Sequence, residues 1–164
     1  MRPLLYNIIP LFFMLTVFHG FAQQKLYSFS LKATGQFLTC RQGALIMEDT
    51  QTQTNKLAQL FIVKRTPDGK TLIASAAKPK QFLKRNGTNI VLSAYNVGDT
   101  SFEWDIQYSG YPYASIVSPA DDKVLSWQNG GGFILQNVSP GLSANDDPSG
   151  DDYRFGISTV TNTF

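Results

Sequence analysis

One pattern recurs three times along this chain and restricts what it can fold into. "QFLTCRQGALIMED" (Gln36 to Asp49) lines up with "QFLKRNGTNIVLSA" (Gln81 to Ala94) and with "KVLSWQNGGGFILQN" (Lys123 to Asn137). Leu38, Leu83 and Leu125 correspond, at steps of 45 and 42 residues. The apolar runs beginning at Leu45, Ile90 and Phe133 correspond at steps of 45 and 43. A short polar or glycine turn joins the two runs of each unit, which predicts a hairpin. A further strand precedes each hairpin: "YSFSL" from Tyr27, "TLIAS" from Thr71 and "YASIV" from Tyr113. Each unit then closes on an aromatic-x-aliphatic step: Phe61-Val63, Trp104-Ile106 and Phe155-Ile157. Turn signals such as Pro67-Asp68-Gly69, Asn86-Gly87 and Gly98-Asp99 separate the strands, and no long helical period interrupts them. Three units of four strands are fewer than a propeller usually has. They suit a closed threefold barrel with a cap of three hairpins, in which Leu38, Leu83 and Leu125 meet near one axis.

The segment ahead of the repeats sets the compartment. After Arg2, an apolar run from Leu4 to Phe18 leads to the small residues Gly20 and Ala22. This predicts a signal peptide over 1–22, cleaved before Gln23, and a single domain over 23–164 with repeats at about 26–65, 71–108 and 113–160. The expected product is secreted, extracellular and monomeric, with no membrane span after cleavage. The only histidine, His19, leaves with the leader, and Cys40 is the only cysteine. No internal disulfide can form, so packing must hold the domain together. Without histidine the usual Ser-His-Asp and Cys-His arrangements are excluded, and zinc lacks its common ligands. "NGGG" (Asn129 to Gly132) lacks the Lys-Ser/Thr of a phosphate loop. The expectation is a non-enzyme with no cofactor and no metal. Without Arg2, 13 basic side chains face 12 acidic ones. That near balance says little about partners, and no nucleic-acid partner is expected.

Across residues 25–160 the pattern resembles the β-trefoil superfamily, which implies an all-β fold of three four-stranded repeats. Within it, "IASAAKPKQFL" resembles an interleukin-one family motif at Ser75, Ala76, Pro79, Phe82 and Leu83. "FLTC" and "LFIVKR" upstream, and "FEWDIQY" downstream, are similar to strands of that family in order. The match is offset by one repeat, because that family carries the motif in its last unit and here a further unit follows. Ile73 stands where an aromatic or Cys is expected, and Lys84-Arg85 replace a small residue and Thr. Ser75 to Pro79 is echoed by Ser115 to Pro119. The same motif has a purely architectural account: small residues at a crowded rim, a proline ending the strand, then an aromatic-Leu entering the core. Ricin-type lectins carry Gln-x-Trp at the end of each unit; here those places read Gln59-Leu60-Phe61, Glu103-Trp104 and Arg154-Phe155. Kunitz-type inhibitors use the loop between the fourth and fifth strands. Here it is "KRTPDGK", a tight turn too short to drape into a protease.

The candidate binding residues fall in two groups. Lys78, Lys80, Lys84 and Arg85 flank one hairpin entry within a basic stretch, a docking place for sulfated glycan through counterion release. "YSGYPYAS" carries Tyr108, Tyr111 and Tyr113 at a repeat junction, and tyrosine combines a flat apolar body with a polar tip. Asn86 and Asn137 head glycosylation sequons. The acidic loop "SANDDPSGDD" offers Asp146, Asp147, Asp151 and Asp152 as weak calcium ligands, without EF-hand spacing. Cys40 shares the parity of Leu38 and should face inward. The expected function is a cytokine- or growth-factor-like ligand for an extracellular protein or sulfated glycan. The alternative is a carbohydrate-binding lectin, and a protease inhibitor ranks third.

Overall fold

The computed structural model describes residues 25–50, 53–128, 130, 132–138 and 150–160. The expected leader lies outside them, as do Asp146 and Asp147. Twelve strands form three units. The first is β1 (Leu26–Leu31), β2 (Phe37–Arg41), β3 (Ala44–Glu48) and β4 (Phe61–Arg65). The second is β5 (Thr71–Ser75), β6 (Gln81–Asn86), β7 (Asn89–Ala94) and β8 (Asp105–Gly110). The third is β9 (Tyr113–Ser118), β10 (Lys123–Gln128), β11 (Gly132–Gln136) and β12 (Arg154–Val160). Before its last strand, each unit has a short 3-10 helix: η1 (Gln53–Gln59), η2 (Thr100–Phe102) and η3 (Gly150–Asp152).

The first and last strands of the units close a six-stranded barrel. β4 pairs β5, β8 pairs β9, and β12 pairs β1 over six residues, from Leu26–Val160 to Leu31–Phe155. Within the units the seams are shorter: two pairs join β1 to β4, three join β9 to β12, and β5 meets β8 only where Thr71 bridges Trp104. The hairpins β2–β3, β6–β7 and β10–β11 form the cap, and β7 and β11 touch where Asn89 pairs Ile134. This is the β-trefoil architecture that the repeats predict.

The repeat spacing becomes layers in space. Phe29, Ile73 and Ile116, then Leu38, Leu83 and Leu125, then Phe61, Trp104 and Phe155 are each completely buried in one core. Leu45, Ile90 and Phe133 seal it from the hairpins. Trp104 is the only core aromatic in these layers with a polar atom, and its indole N–H donates to the Leu83 carbonyl at 3.1 Å. Cys40 is buried as its parity requires. Strand register corrects one sequence reading. Ser75 lies opposite Phe61 and Leu31 opposite Phe155, while Asp105 opposite Val117 brings Ser118 beside Trp104. The counterpart of Ser75 is therefore Ser118 and not Ser115. Three-residue offsets look alike in a run of small residues, and only pairing separates them.

The residue after each axial leucine is tied to the unit's 3-10 region. Gln59 Nε2 donates to Thr39 Oγ1 at 3.2 Å, Lys84 Nζ pairs with Asp99 Oδ2 at 3.0 Å, and Ser126 Oγ donates to Asp152 Oδ2 at 3.1 Å. Thr39 and Ser126 are fully buried despite their outward parity, so these bonds satisfy hydroxyls that water cannot reach. The Asp99 carboxyl is held down to about 2 from its ordinary 3.8, first by the Ser101 hydroxyl, then by the Ser101 amide and Lys84.

Leu83→Ala should lower the unfolding free energy by about 2–5 kcal/mol in urea melts. Val97→Ala, on a side chain 85% exposed, should stay within about 0.5 kcal/mol of the parent. A carboxyl depressed by folding stabilises the native state above its unfolded pKa, and that contribution is lost as pH falls through the folded value. Stability of the parent should thus fall between pH 4 and about 2, and Asp99→Asn should flatten that part of the profile.

Candidate functional site

The four cations at the second hairpin entry differ in how far the fold engages them. Lys78 and Lys80 are exposed on the β5–β6 turn. Lys84 is held by Asp99, and its ammonium also lies 5.0 Å from the centre of the Phe102 ring. Arg85 is turned inward: its side chain is 13% exposed, its guanidinium donates to the Thr100 carbonyl at 2.8 Å, and Nη1 stands 3.7 Å from Asp121. The next basic hairpin folds onto itself in the same way. Arg65 donates to the Gly69 carbonyl, and Thr66 and Lys70 exchange backbone and hydroxyl bonds across the turn. Lys64 lies over Phe82 at 5.5 Å. The "KRTPDGK" segment is a short cross-braced turn, with Lys64 over a ring and Arg65 bonded back to the turn.

The motif around Ser75 is accounted for by its turn. Ser75 Oγ accepts from the Lys78 amide at 3.3 Å, the Gln81 amide donates to the Lys78 carbonyl at 2.8 Å, and Phe82 and Leu83 then enter buried positions.

The three tyrosines lie on the β8–β9 hairpin and face different ways. Tyr108 pairs Ala114, two residues from the Ile106–Ile116 pair, so it continues the barrel-facing side beyond the core. It is 61% exposed and does not plug the barrel. Tyr111 stands at the tip, 94% exposed, after a bulge in which Gly110 adopts φ +115. Such a backbone angle strains any residue with a Cβ. Tyr113 is on the outer side and half-buried. Its ring packs over Gly156, and Lys32 Nζ lies 5.7 Å from its centre. Lys32 in turn pairs with Asp151 at 2.6 Å. The end of β1, η3 and the start of β9 therefore bring a flat ring, a cation and a carboxylate together, with Tyr111 projecting beside them. Apolar rings beside a few oriented donors and acceptors suit a hydroxyl-rich ligand.

Lys32 carried no signal in the sequence, because its partners arrive from residues 113 and 151. Asp151 was anticipated only as a calcium ligand. Here it pairs with Lys32, and Asp152 accepts from Ser126 and from Gln136 at 3.4 Å. Asn86 and Asn137 are both exposed, Asn86 at the β6–β7 turn where Gly87 takes φ +64.

By sequence, no family model and no curated protein matches the chain. Solved structures do. ThreeFoil, a designed 3-fold symmetric protein, superposes with a TM-score of 0.63 at 17% identity, covering 80% of this chain and 96% of that one. The C-half of the earthworm R-type lectin, in complex with GalNAc, gives 0.59 at 14% identity over 83% of this chain and 99% of that one. A GlcNAcα1-4Gal-releasing endo-β-galactosidase from Clostridium perfringens gives 0.67 at 15% identity over 84% of this chain, which spans only 33% of that enzyme. At these identities the likeness shows the fold: the chain is a β-trefoil.

Neutralising Arg85 as Arg85→Met should cost roughly 0.5–1.5 kcal/mol, as expected for losing a hydrogen bond to a carbonyl on an exposed turn. Lys78→Ala and Lys80→Ala should each stay within about 0.5 kcal/mol. Chemical denaturation of the three variants checks both.

Proposed function

We propose that this protein is a secreted, non-catalytic carbohydrate-binding trefoil that engages glycan through its tyrosine hairpin, acting outside the cell once residues 1–22 are removed. The observation that carries the reading is Tyr111, an almost fully exposed ring at a hairpin tip, beside the Tyr113–Lys32–Asp151 cluster. A sugar ring presents an apolar C–H face and a rim of hydroxyls, which match an aromatic plane and flanking charged donors and acceptors. The lectin of the same fold that is in complex with GalNAc supports this reading over the cytokine-like one. So does the engagement of Lys84 and Arg85 within the fold, which leaves Lys78 and Lys80 as the cations of the proposed sulfated-glycan surface with no ion pair among the described residues.

A glycan array covering neutral and sulfated sugars tests the choice. Retention of neutral sugars in high salt, with loss of roughly tenfold in affinity on Tyr111→Ala, is the expected result. Binding confined to sulfated chains, lost steeply with salt and abolished by Lys78→Ala with Lys80→Ala, would restore the growth-factor-like reading instead.

A further inference from the structure

We propose that a second, separate saccharide subsite lies between the second and third units and accepts a single neutral pyranose residue; this rests on the carbohydrate-binding reading above. The place is set by the barrel's shortest seam. β5 and β8 share only the Thr71–Trp104 bridge, with bonds of 3.2 and 2.9 Å, whereas β4–β5 and β8–β9 each run over five pairs. Where the two strands part, a cleft of about 220 Å³ opens, lined by Lys70, Thr100, Glu103, Pro119 and Ala120.

Two features make this cleft a site and not a gap. The first is its charge. Lys70 and Glu103 immediately precede the two residues of this antiparallel bridge, so they lie diagonally across it on the same face. Neither side chain makes a hydrogen bond or ion pair among the described residues, and they stand beyond 4.0 Å from each other. Lys70 acts only at a distance, on Asp68 in its own turn. Several opposite charges elsewhere on the surface do close on each other, as in Lys32–Asp151, Arg41–Glu48 and Lys84–Asp99. Here a cation and a carboxylate line one cleft without pairing with each other.

The second feature is the bracing of the walls. Arg85 donates to the Thr100 carbonyl on one wall and reaches Asp121, next to Ala120, on the other. The Ser118 hydroxyl donates to the same Asp121 carboxylate. The walls are therefore fixed before any ligand arrives, which reduces the ordering cost of binding. Arg85 is a positioning residue for the cleft.

The lining selects the ligand. A carboxylate accepts protons from sugar hydroxyls, an ammonium donates to their oxygens, and Pro119 and Ala120 supply an apolar wall for the C–H face. The two charges cancel, which favours an uncharged polyol over an anion. The volume is small beside the roughly 300 Å³ at which drug-sized pockets begin, which matches contact with a single ring. With the tyrosine face on another part of the surface, one molecule would hold two sugars and cross-link glycans, gaining avidity without new contacts.

The test is an NMR titration of the 15N-labelled protein with galactose, N-acetylgalactosamine, mannose and N-acetylglucosamine, with glycine in parallel. The expected result is saturable movement of the Thr100, Glu103 and Ala120 amides with at least one sugar. Lys70→Met with Glu103→Gln should weaken that movement roughly tenfold or more, while Tyr111→Ala leaves it intact. Glu103→Gln alone, checked by an unchanged spectrum elsewhere, gives the same answer if the double variant fails to fold. Movement confined to the β8–β9 hairpin would overturn the subsite and leave the carbohydrate-binding reading standing. No movement with any sugar would overturn both, and movement at the cleft with glycine alone would make it an amino-acid site.

Discussion

Closing a barrel from three unequal units requires that each deliver the same side chains to one axis, and the rest of this structure depends on that constraint. Leu38, Leu83 and Leu125 are completely buried at equivalent places, although the segments between them differ in length. The differences are absorbed outside the layers, in turns and 3-10 helices, because a one-residue slip within a strand would turn its core face to water. The β12–β1 pairing joins the first and last of the described strands, and it is the longest barrel seam.

The same economy explains why the three faces differ chemically. The residue after each axial leucine must be tied to the 3-10 region, yet the tie is neutral in the first unit, a full ion pair in the second, and hydroxyl to carboxylate in the third. Symmetry constrains positions and leaves chemistry free. Charges engaged in such ties are less available to a partner, and the proposed recognition surfaces accordingly lie at the tyrosine hairpin and at the cleft by the β5–β8 seam.

That seam connects fold to function. A ladder of five pairs leaves no room between strands, whereas a single bridge lets the chains diverge directly beside it. Trp104 anchors the point of divergence through its backbone bonds to Thr71 and its indole bond to Leu83. A well-packed core therefore borders an open cleft whose turns are braced.

The sequence by itself determined the strand count, the hairpins and the core. Those follow from periodicity and from apolar residues that must leave water, and both are local or repeat along the chain. Cys40 inward and the tight turn at Pro67-Asp68-Gly69 were legible for the same reason. Thr39 and Ser126 were not, because a 3-10 helix distant in sequence covers their outward faces. Tertiary structure alone decided which charges are free. Lys84 and Arg85 read as a patch with Lys78 and Lys80, but Asp99 and Asp121 come within ion-pair reach only when the loops fold over them. Tyr113 gains Lys32, which brings Asp151, and Lys70 and Glu103 come to line one cleft, by the same long-range closure. Charge pairing acts over a few ångströms in space, and spacing along the chain carries no record of which loops will meet.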